Sequence, residues 1–255
     1  MARTFFSAVC AAIVITGTVL VCERASAEPP LKERASLSTD PAGKLAVVEN
    51  GKSVAPIIVA EAPPPATRRA AKELATYIAK MSGAKPEVTE GKPASLPEHA
   101  VWIGYQPVMD ELFPDVAFEF DHPEEILIAA NKNHLAITGR DRWDPAHTTR
   151  KGPHGMVKNV QQEYGTANAV YTFLQDCLGV RWLWPGETGI DVLERDTIAF
   201  EPFTYRYHPQ VRSRQCMLIF SHPMSLSGYG HSRDWMRHQR LALDSLDMLY
   251  GCKHA

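Results

Sequence analysis

The chain has 255 residues, 45% of them hydrophobic and 22% charged, so it is long enough to bury one large core or two smaller ones. Lys and Arg together number 27 and Asp and Glu number 29, which leaves a formal net charge of −2. This balance argues against a chain dedicated to binding nucleic acid, and it gives no support for attachment to a membrane surface by charge.

The first 27 residues have the pattern of a secretory signal peptide. Arg3 provides the positive start, residues 5–22 form the apolar run, and residues 25–27 (Ala-Ser-Ala) form a small-residue cleavage site. The alternative is a retained membrane anchor, because the apolar run is close to the length that spans a bilayer. We expect cleavage after Ala27, export to the periplasm or the extracellular space, and no membrane attachment afterwards.

The segments that follow predict a lead-in, a set of strands and a loop. Residues 28–44 are polar and contain several prolines, which predicts a flexible lead-in. Residues 45–60 contain two β-rich runs around Asn50-Gly51, a dipeptide that accepts the positive φ angles of a hairpin turn. Further strands are predicted around Val88 and over 100–105, 126–130 and 135–139. The polar segment 140–163 is predicted to be a surface loop.

Two amphipathic helices are predicted, one in each half of the chain. In the first, apolar residues recur at helical spacing after Thr67, the expected N-cap, and Gly83 ends the helix. In the second, Thr166 is the expected N-cap and Gly179 the end. The apolar stripe of the second helix comprises Ala169, Val170, Phe173, Leu174, Cys177 and Leu178. Residues 180–184 (VRWLW) are predicted to enter the sheet, which completes an α/β (α+β) fold with two helices on one face of a mixed or antiparallel sheet.

Two stretches together resemble a known family. They are AAKELATYIAKMSG (70–83) and GTANAVYTFLQDCLGVRWLWPG (165–186), with the strand-like VWIGY and HLAITGRD between them. In this order they resemble the N-terminal accessory domain of the alpha-glucuronidase family of glycoside hydrolases, and the related second domain of beta-hexosaminidases is similar. The resemblance covers residues 45–205. It implies that a (β/α)8 catalytic barrel begins directly afterwards, so that residues 206–255 would be the start of that barrel.

Residues 206–255 are too few to complete such a barrel. A (β/α)8 barrel takes about 250 residues and builds its active site from the ends of several strands. Residues 211–220 would supply its first strand, and the helix-like segment 231–251 its first helix. Glycoside hydrolysis ordinarily needs two carboxyl groups, and residues 203–255 offer Asp234, Asp244 and Asp247 but no glutamate. We therefore expect a truncated enzyme that is not catalytic by itself.

Three residues near the expected barrel start are candidate substrate-binding residues. Arg212 and Arg214 share a face of the expected first strand and could clamp a sugar carboxylate in bidentate fashion; the alternative is a pair of solvated arginines at a strand end. Trp235 could stack on a sugar ring or pack in the core. Trp182 and Trp184, at i, i+2 spacing, also suggest sugar stacking, but core packing against the preceding helix is favoured.

No further site is predicted from the remaining polar residues. Asp141, Asp144 and Glu163 are isolated carboxylates in the loop, and nothing in the sequence predicts a raised pKa for any of them. The cysteines and histidines lack the spacing of metal ligands, and no catalytic residue, metal or cofactor is predicted within the chain.

The sequence therefore predicts the N-terminal part of an exported glycoside hydrolase that resembles the alpha-glucuronidases. Its partner would be a carbohydrate substrate, such as a xylan-type or other glycan that contains uronic acid, bound through the full-length parent enzyme. The alternative is a secreted, non-catalytic carbohydrate-binding or interaction module with the same fold.

Overall fold

The computed structural model describes residues 30–35, 37–144, 146, 148–150, 156–158, 161–211, 214 and 229–241. The expected signal peptide, most of the expected first barrel strand and residues 242–255 lie outside the described residues. Within the part that is described, no helix has both the length and the apolar character needed to cross a membrane.

Short strands and helices follow one another along the chain. The strands are β1 (Leu37–Ser38), β2 (Leu45–Glu49), β3 (Lys52–Ser53), β4 (Ile57–Val59), β5 (Val88–Glu90), β6 (Ala100–Ile103), β7 (Ile126–Ala130), β8 (His134–Gly139), β9 (Asp141–Trp143), β10 (Thr148–Arg150), β11 (Met156–Lys158), β12 (Gln161–Tyr164), β13 (Arg181–Trp182), β14 (Ile190–Asp191), β15 (Ile198–Phe200) and β16 (Phe203–Tyr207). The α-helices are α1 (Leu31–Arg34), α2 (Pro65–Ser82), α3 (Val108–Leu112), α4 (Gly165–Thr172) and α5 (Tyr229–His238). A π-helical turn, Phe173–Cys177, continues α4, and a 3₁₀ turn covers Glu187–Gly189.

The main sheet of the described chain has six strands in the order β16-β7-β8-β6-β4-β5. β5, β4, β6 and β8 run parallel, whereas β7 is antiparallel to β8 and β16 is antiparallel to β7. The predicted α/β fold with a mixed sheet is therefore confirmed. Because successive side chains of a strand point to opposite faces, the central strands contribute to two separate cores.

One face of the main sheet is covered by α2 and α4, as the sequence predicts. Ile57, Val101 and Ile137 of the sheet belong to the same buried cluster as Leu74 of α2 and Leu174 of the turn after α4. The whole predicted apolar stripe of the second helix is buried. Burial of each Val, Leu, Ile or Phe side chain in this cluster contributes about 1.5–3 kcal/mol to folding, which holds both helices on this face.

The opposite face is covered by the segment that follows β6, including α3. Trp102 and Leu127 of the sheet pack there with Met109 and Phe113. The sequence did not predict this cover, because α3 has five residues and is too short to show a helical period.

The predicted hairpin at Asn50-Gly51 is confirmed, but it belongs to a second sheet. Asn50 and Gly51 have φ angles of 48° and 73°, and β2 pairs with β3 across them. This sheet has the order β1-β15-β2-β3. The expected flexible lead-in contributes β1, and it also contains Leu31, which is 1% exposed and lies in the main core.

Two segments differ from their predictions because short strands pair within them or shortly after them. β13, at the start of VRWLW, pairs with β14 and not with the main sheet, whose two edge strands are β16 and β5. The predicted loop 140–163 contains two antiparallel pairs, β9 with β12 and β10 with β11.

Asp141 joins the starts of the two long helices. α2 begins at Pro65, so Thr67 is not its N-cap; the Thr67 hydroxyl instead donates a hydrogen bond to Asp141 Oδ2 at 2.9 Å. Asp141 Oδ1 accepts a hydrogen bond from the backbone N–H of Thr166 at 3.0 Å. Burial raises the pKa of Asp141 to about 6, so the expectation that this residue is an ordinary loop carboxylate is wrong.

We expect Asp141 to make the stability of the chain depend on pH. Its pKa rises from 3.8 to about 6 on folding, so the folded state holds this proton more tightly than the unfolded state. The resulting stabilisation is present below about pH 4 and is lost as the pH rises through 6. Between pH 5 and pH 7 the unfolding free energy of the wild-type chain should therefore fall by about 1 kcal/mol relative to that of Asp141→Asn, which cannot titrate. Urea denaturation at both pH values measures this, and identical pH dependence in the two proteins would contradict it.

Candidate functional site

Trp235 lies in a groove between α5, α2 and the turn that follows β13. We call it the tryptophan groove; aromatic and charged side chains dominate its lining, among them Tyr77, Lys80, Trp182, Trp184, Glu187 and Trp235. The groove has a volume of about 190 Å³. This is below the roughly 300 Å³ of a typical small-molecule pocket. The groove is therefore too small to enclose a whole ligand, and it is suited to contact with one face of a ligand ring at its open side.

The indole N–H groups of the three tryptophans are all bound within the protein. Trp182 donates to the Tyr77 hydroxyl at 2.7 Å, and Trp235 donates to the carbonyl oxygen of Trp182 at 2.9 Å. Trp184 donates to the Thr188 hydroxyl at 3.2 Å. A ligand in the groove would therefore meet ring faces, and stacking is the contact that these faces offer.

Trp182 and Trp184 differ in exposure. Trp182 is 5% exposed, and the His238 ring stacks on it at a centroid distance of 4.4 Å. Trp184 is 50% exposed. The predicted core packing is confirmed for Trp182 and wrong for Trp184, because β13 ends at Trp182 and the alternation of a strand does not continue to Trp184.

The carboxylates that line the groove each contact a basic side chain. The contacts are Glu73–His238 at 2.7 Å, Glu187–Lys80 at 3.0 Å and Asp234–Arg237 at 2.6 Å. Burial raises the pKa of Tyr77 to about 12, so its phenol stays neutral at physiological pH. Nowhere in the described ranges do three His, Cys, Asp or Glu side chains come together as possible metal ligands. The groove therefore offers charge, hydrogen bonds and ring faces for binding.

The sequence contained a signal for the α2 side of the groove that sequence reasoning missed. Glu73, Tyr77 and Lys80 are separated by four and three residues, so they lie on one face of the helix that was correctly predicted there. This face borders the apolar stripe that includes Leu74, and Tyr77 is buried in the same cluster as Leu74. The polar residues Glu73 and Lys80 beside it could have been proposed as a binding surface.

Arg214 lies outside the lining of the tryptophan groove. Its guanidinium donates to Glu124 Oε2 at 2.5 Å, and to the carbonyl oxygens of Arg240 at 3.1 Å and Val211 at 2.9 Å. The side chain of Glu124 is only 7% exposed, so Arg214 links residues on either side of α5 to the body of the fold. Arg212 lies outside the described residues, so a shared carboxylate clamp by the two arginines stays a prediction.

Comparison with known proteins gives a distant structural similarity. No protein-family model matches the chain, and the search of curated proteins gives no match. Among solved structures, a family GH115 4-O-methyl-alpha-glucuronidase with specificity for decorated arabinogalactans is similar, with a TM-score of 0.47 and 12% sequence identity. The similarity covers 67% of this chain and 19% of that protein. At this distance it carries no argument about the function of the chain.

Proposed function

We propose that the chain is a carbohydrate-binding accessory domain of an exported glycoside hydrolase that resembles the alpha-glucuronidases. The observation that carries the proposal is the half-exposed ring of Trp184 in a groove that also contains the Lys80–Glu187 ion pair. A pyranose has an apolar face that can pack on an indole ring, and hydroxyl groups that charged side chains can bind. Lys80 adds a positive charge suited to the carboxylate of a uronic acid. The resemblance of residues 70–83 and 165–186 to the accessory domain supports the same assignment.

The groove is suited to binding a glycan and lacks an arrangement for cleaving one. Hydrolysis requires a carboxyl group that can protonate the leaving oxygen and a second one that acts as base or nucleophile. Glu73 and Asp234 instead contact basic side chains, and Tyr77 is held neutral. We infer that the parent enzyme takes its acid and base from elsewhere, so the 255-residue chain should not turn over an aryl glucuronide.

Replacement of Trp184 tests the proposed glycan binding. We expect the wild-type chain to be retarded in affinity electrophoresis through a gel that contains glucuronoxylan. Trp184→Ala should weaken this binding by about tenfold or more, which corresponds to about 1.4 kcal/mol, because the exposed ring face is lost.

Leu183→Ala is the matched control, because Leu183 is adjacent and 56% exposed but does not line the groove. It should leave the retardation unchanged. Migration of the wild-type chain that does not respond to the polysaccharide, or an equal effect of both substitutions, would contradict the proposal.

The alternative is a stand-alone, non-catalytic carbohydrate-binding module. The exposed ring of Trp184 favours this alternative as well, because such a module would also bind a sugar by stacking. Both proposals expect binding without hydrolysis, and they differ in what the gene encodes after residue 255. Further βα units with paired acidic residues support the accessory domain. A stop codon or an unrelated domain supports the module.

We also propose that the chain is exported, on the basis of the signal-peptide pattern in residues 1–27. Intact-mass measurement of protein secreted by the expressing cell should give a chain that begins at Glu28. A mass that retains the apolar run would instead indicate a membrane anchor.

A further inference from the structure

A second cavity lies at the carboxyl ends of three parallel strands of the main sheet, β4, β6 and β8. After β4 the chain forms α2 on one face of the sheet, and after β6 it forms α3 on the other face. The two connections therefore diverge between neighbouring parallel strands. In open α/β sheets this is the place where a crevice forms and where ligands bind.

The cavity has the size of a small-ligand site and one aromatic wall. Its volume is about 410 Å³, within the range of roughly 300–1,000 Å³ found for small-molecule pockets. Tyr105, Phe118 and Phe120 form the wall, and the rings of Tyr105 and Phe118 are 5.7 Å apart. Tyr105 is 44% exposed, so its ring is open to a ligand.

Polar side chains at the helix starts also line the cavity. Asp141 lies there between Thr67 and Thr166, and Arg140 stands next to it. A carboxylate has about four lone-pair sites, so Asp141 can accept from a ligand hydroxyl in addition to its protein donors. Arg140 Nη1 donates to the carbonyl oxygen of Asp121 at 3.2 Å, and its Nε pairs with the buried Glu163 at 3.0 Å.

The charges around the cavity disfavour an anionic ligand such as a phosphate. At the start of α2 the Ala66 N–H donates to Gln161 Oε1 at 3.1 Å, and at the start of α4 the Thr166 N–H donates to Asp141. These helix N-terminal donors, which bind phosphate in many α/β proteins, are thus already used by protein side chains. The carboxylates of Asp141 and Glu61, which both line the cavity, add negative charge at the same place.

We propose that this cavity binds a single neutral sugar ring, with the apolar ring face against Tyr105 and hydroxyl groups directed to Asp141 and Arg140. Aromatic rings that line one cavity with a carboxylate and a guanidinium match a ligand with one apolar face and several neutral hydroxyl groups. The site lies apart from the tryptophan groove, with which it shares no lining residue. It does not depend on the glycan binding proposed for Trp184.

The test is titration of the ¹⁵N-labelled 255-residue chain with D-glucose, D-galactose, D-xylose and L-arabinose, and separately with inorganic phosphate. At least one sugar should shift the amide signals of Gly104, Gly139 and Thr166, and phosphate should shift them less. Tyr105→Ala should weaken the binding of that sugar by about tenfold or more, which corresponds to about 1.4 kcal/mol. Tyr105→Phe, which retains the ring, should stay within about twofold of the wild type.

Tyr207→Ala is the matched control, because Tyr207 is 48% exposed on β16 and does not line the cavity. It should bind the sugar as the wild type does. The proposal is overturned if none of the four sugars shifts these amides, or if phosphate shifts them more than any sugar does. Equal weakening by Tyr105→Ala and Tyr207→Ala would overturn it as well. Trp184→Ala should leave these shifts unchanged, so a failure here is distinguishable from a failure of the tryptophan groove.

Discussion

Leu174→Asp is expected to lower the free energy of unfolding by about 3–5 kcal/mol. Leu174 is fully buried in the cluster between the main sheet and α2. The substitution removes apolar contacts and leaves a carboxylate without solvent or a charged partner. Since a domain of this size has about 5–15 kcal/mol of stability in total, the variant should unfold at a much lower urea concentration.

Leu193→Asp is a suitable control, because Leu193 is 54% exposed and the same change there places the charge in water. We expect its denaturation midpoint to stay close to that of the wild type. A midpoint for Leu174→Asp that matches the control would show that the turn after α4 does not pack on the sheet.

Gly165→Ala should destabilise the chain by about 3 kcal/mol or more, because it adds a methyl group where two backbone segments touch. Gly165 starts α4, and its N–H donates to the carbonyl oxygen of Arg140 at 3.0 Å. A Cβ atom at this position would overlap the backbone nitrogen and oxygen of Arg140. The start of the helix would have to move away from the end of β8, and the two helix starts that Asp141 joins would separate.

Gly91→Ala separates this contact from the general effect of replacing a glycine. Gly91 has a φ of 85°, but a Cβ atom added there would meet no atom of the described chain within 4 Å. Only backbone strain of about 1 kcal/mol is therefore expected at this position. Chemical denaturation of both variants should show the larger loss at Gly165. An equal or larger loss at Gly91 would contradict the close packing of α4 on β8.

The helices and the central strands could be predicted because their signals are local. The stripe through Leu74 and Ile78 and the left-handed Gly83, with a φ of 74°, lie within or directly after the single helix α2. The order of the sheet could not be predicted in this way. β16 pairs with β7, with Phe203 opposite Ala130, and no local pattern relates two segments so far apart in sequence.

The candidate sites were harder to predict for the same reason. The exposure of Trp184 depends on where β13 ends. The pKa of Asp141 depends on its burial in the folded chain, which raises it, and on hydrogen bonds from Thr67 and Thr166 of two different helices, which lower it. Trp235 could be chosen as a candidate sugar-binding residue from the sequence, because tryptophan rings commonly stack on sugar rings. Its neighbours in the tryptophan groove come from α2 and from the turn after β13. These neighbours could not be predicted, because only the folded chain places both elements beside α5.

Tryptophan fluorescence during titration with an acidic xylo-oligosaccharide that carries glucuronic acid tests the role of the tryptophan groove most directly. Trp184 is half exposed, so a sugar that covers its ring should shift the emission of the wild-type chain to shorter wavelength. Trp184→Phe keeps an aromatic ring for stacking but removes this emission, so it should bind the glucuronoxylan gel without the spectral shift. Absence of a shift in the wild-type chain, or an equal shift in Trp184→Phe, would contradict glycan binding at Trp184.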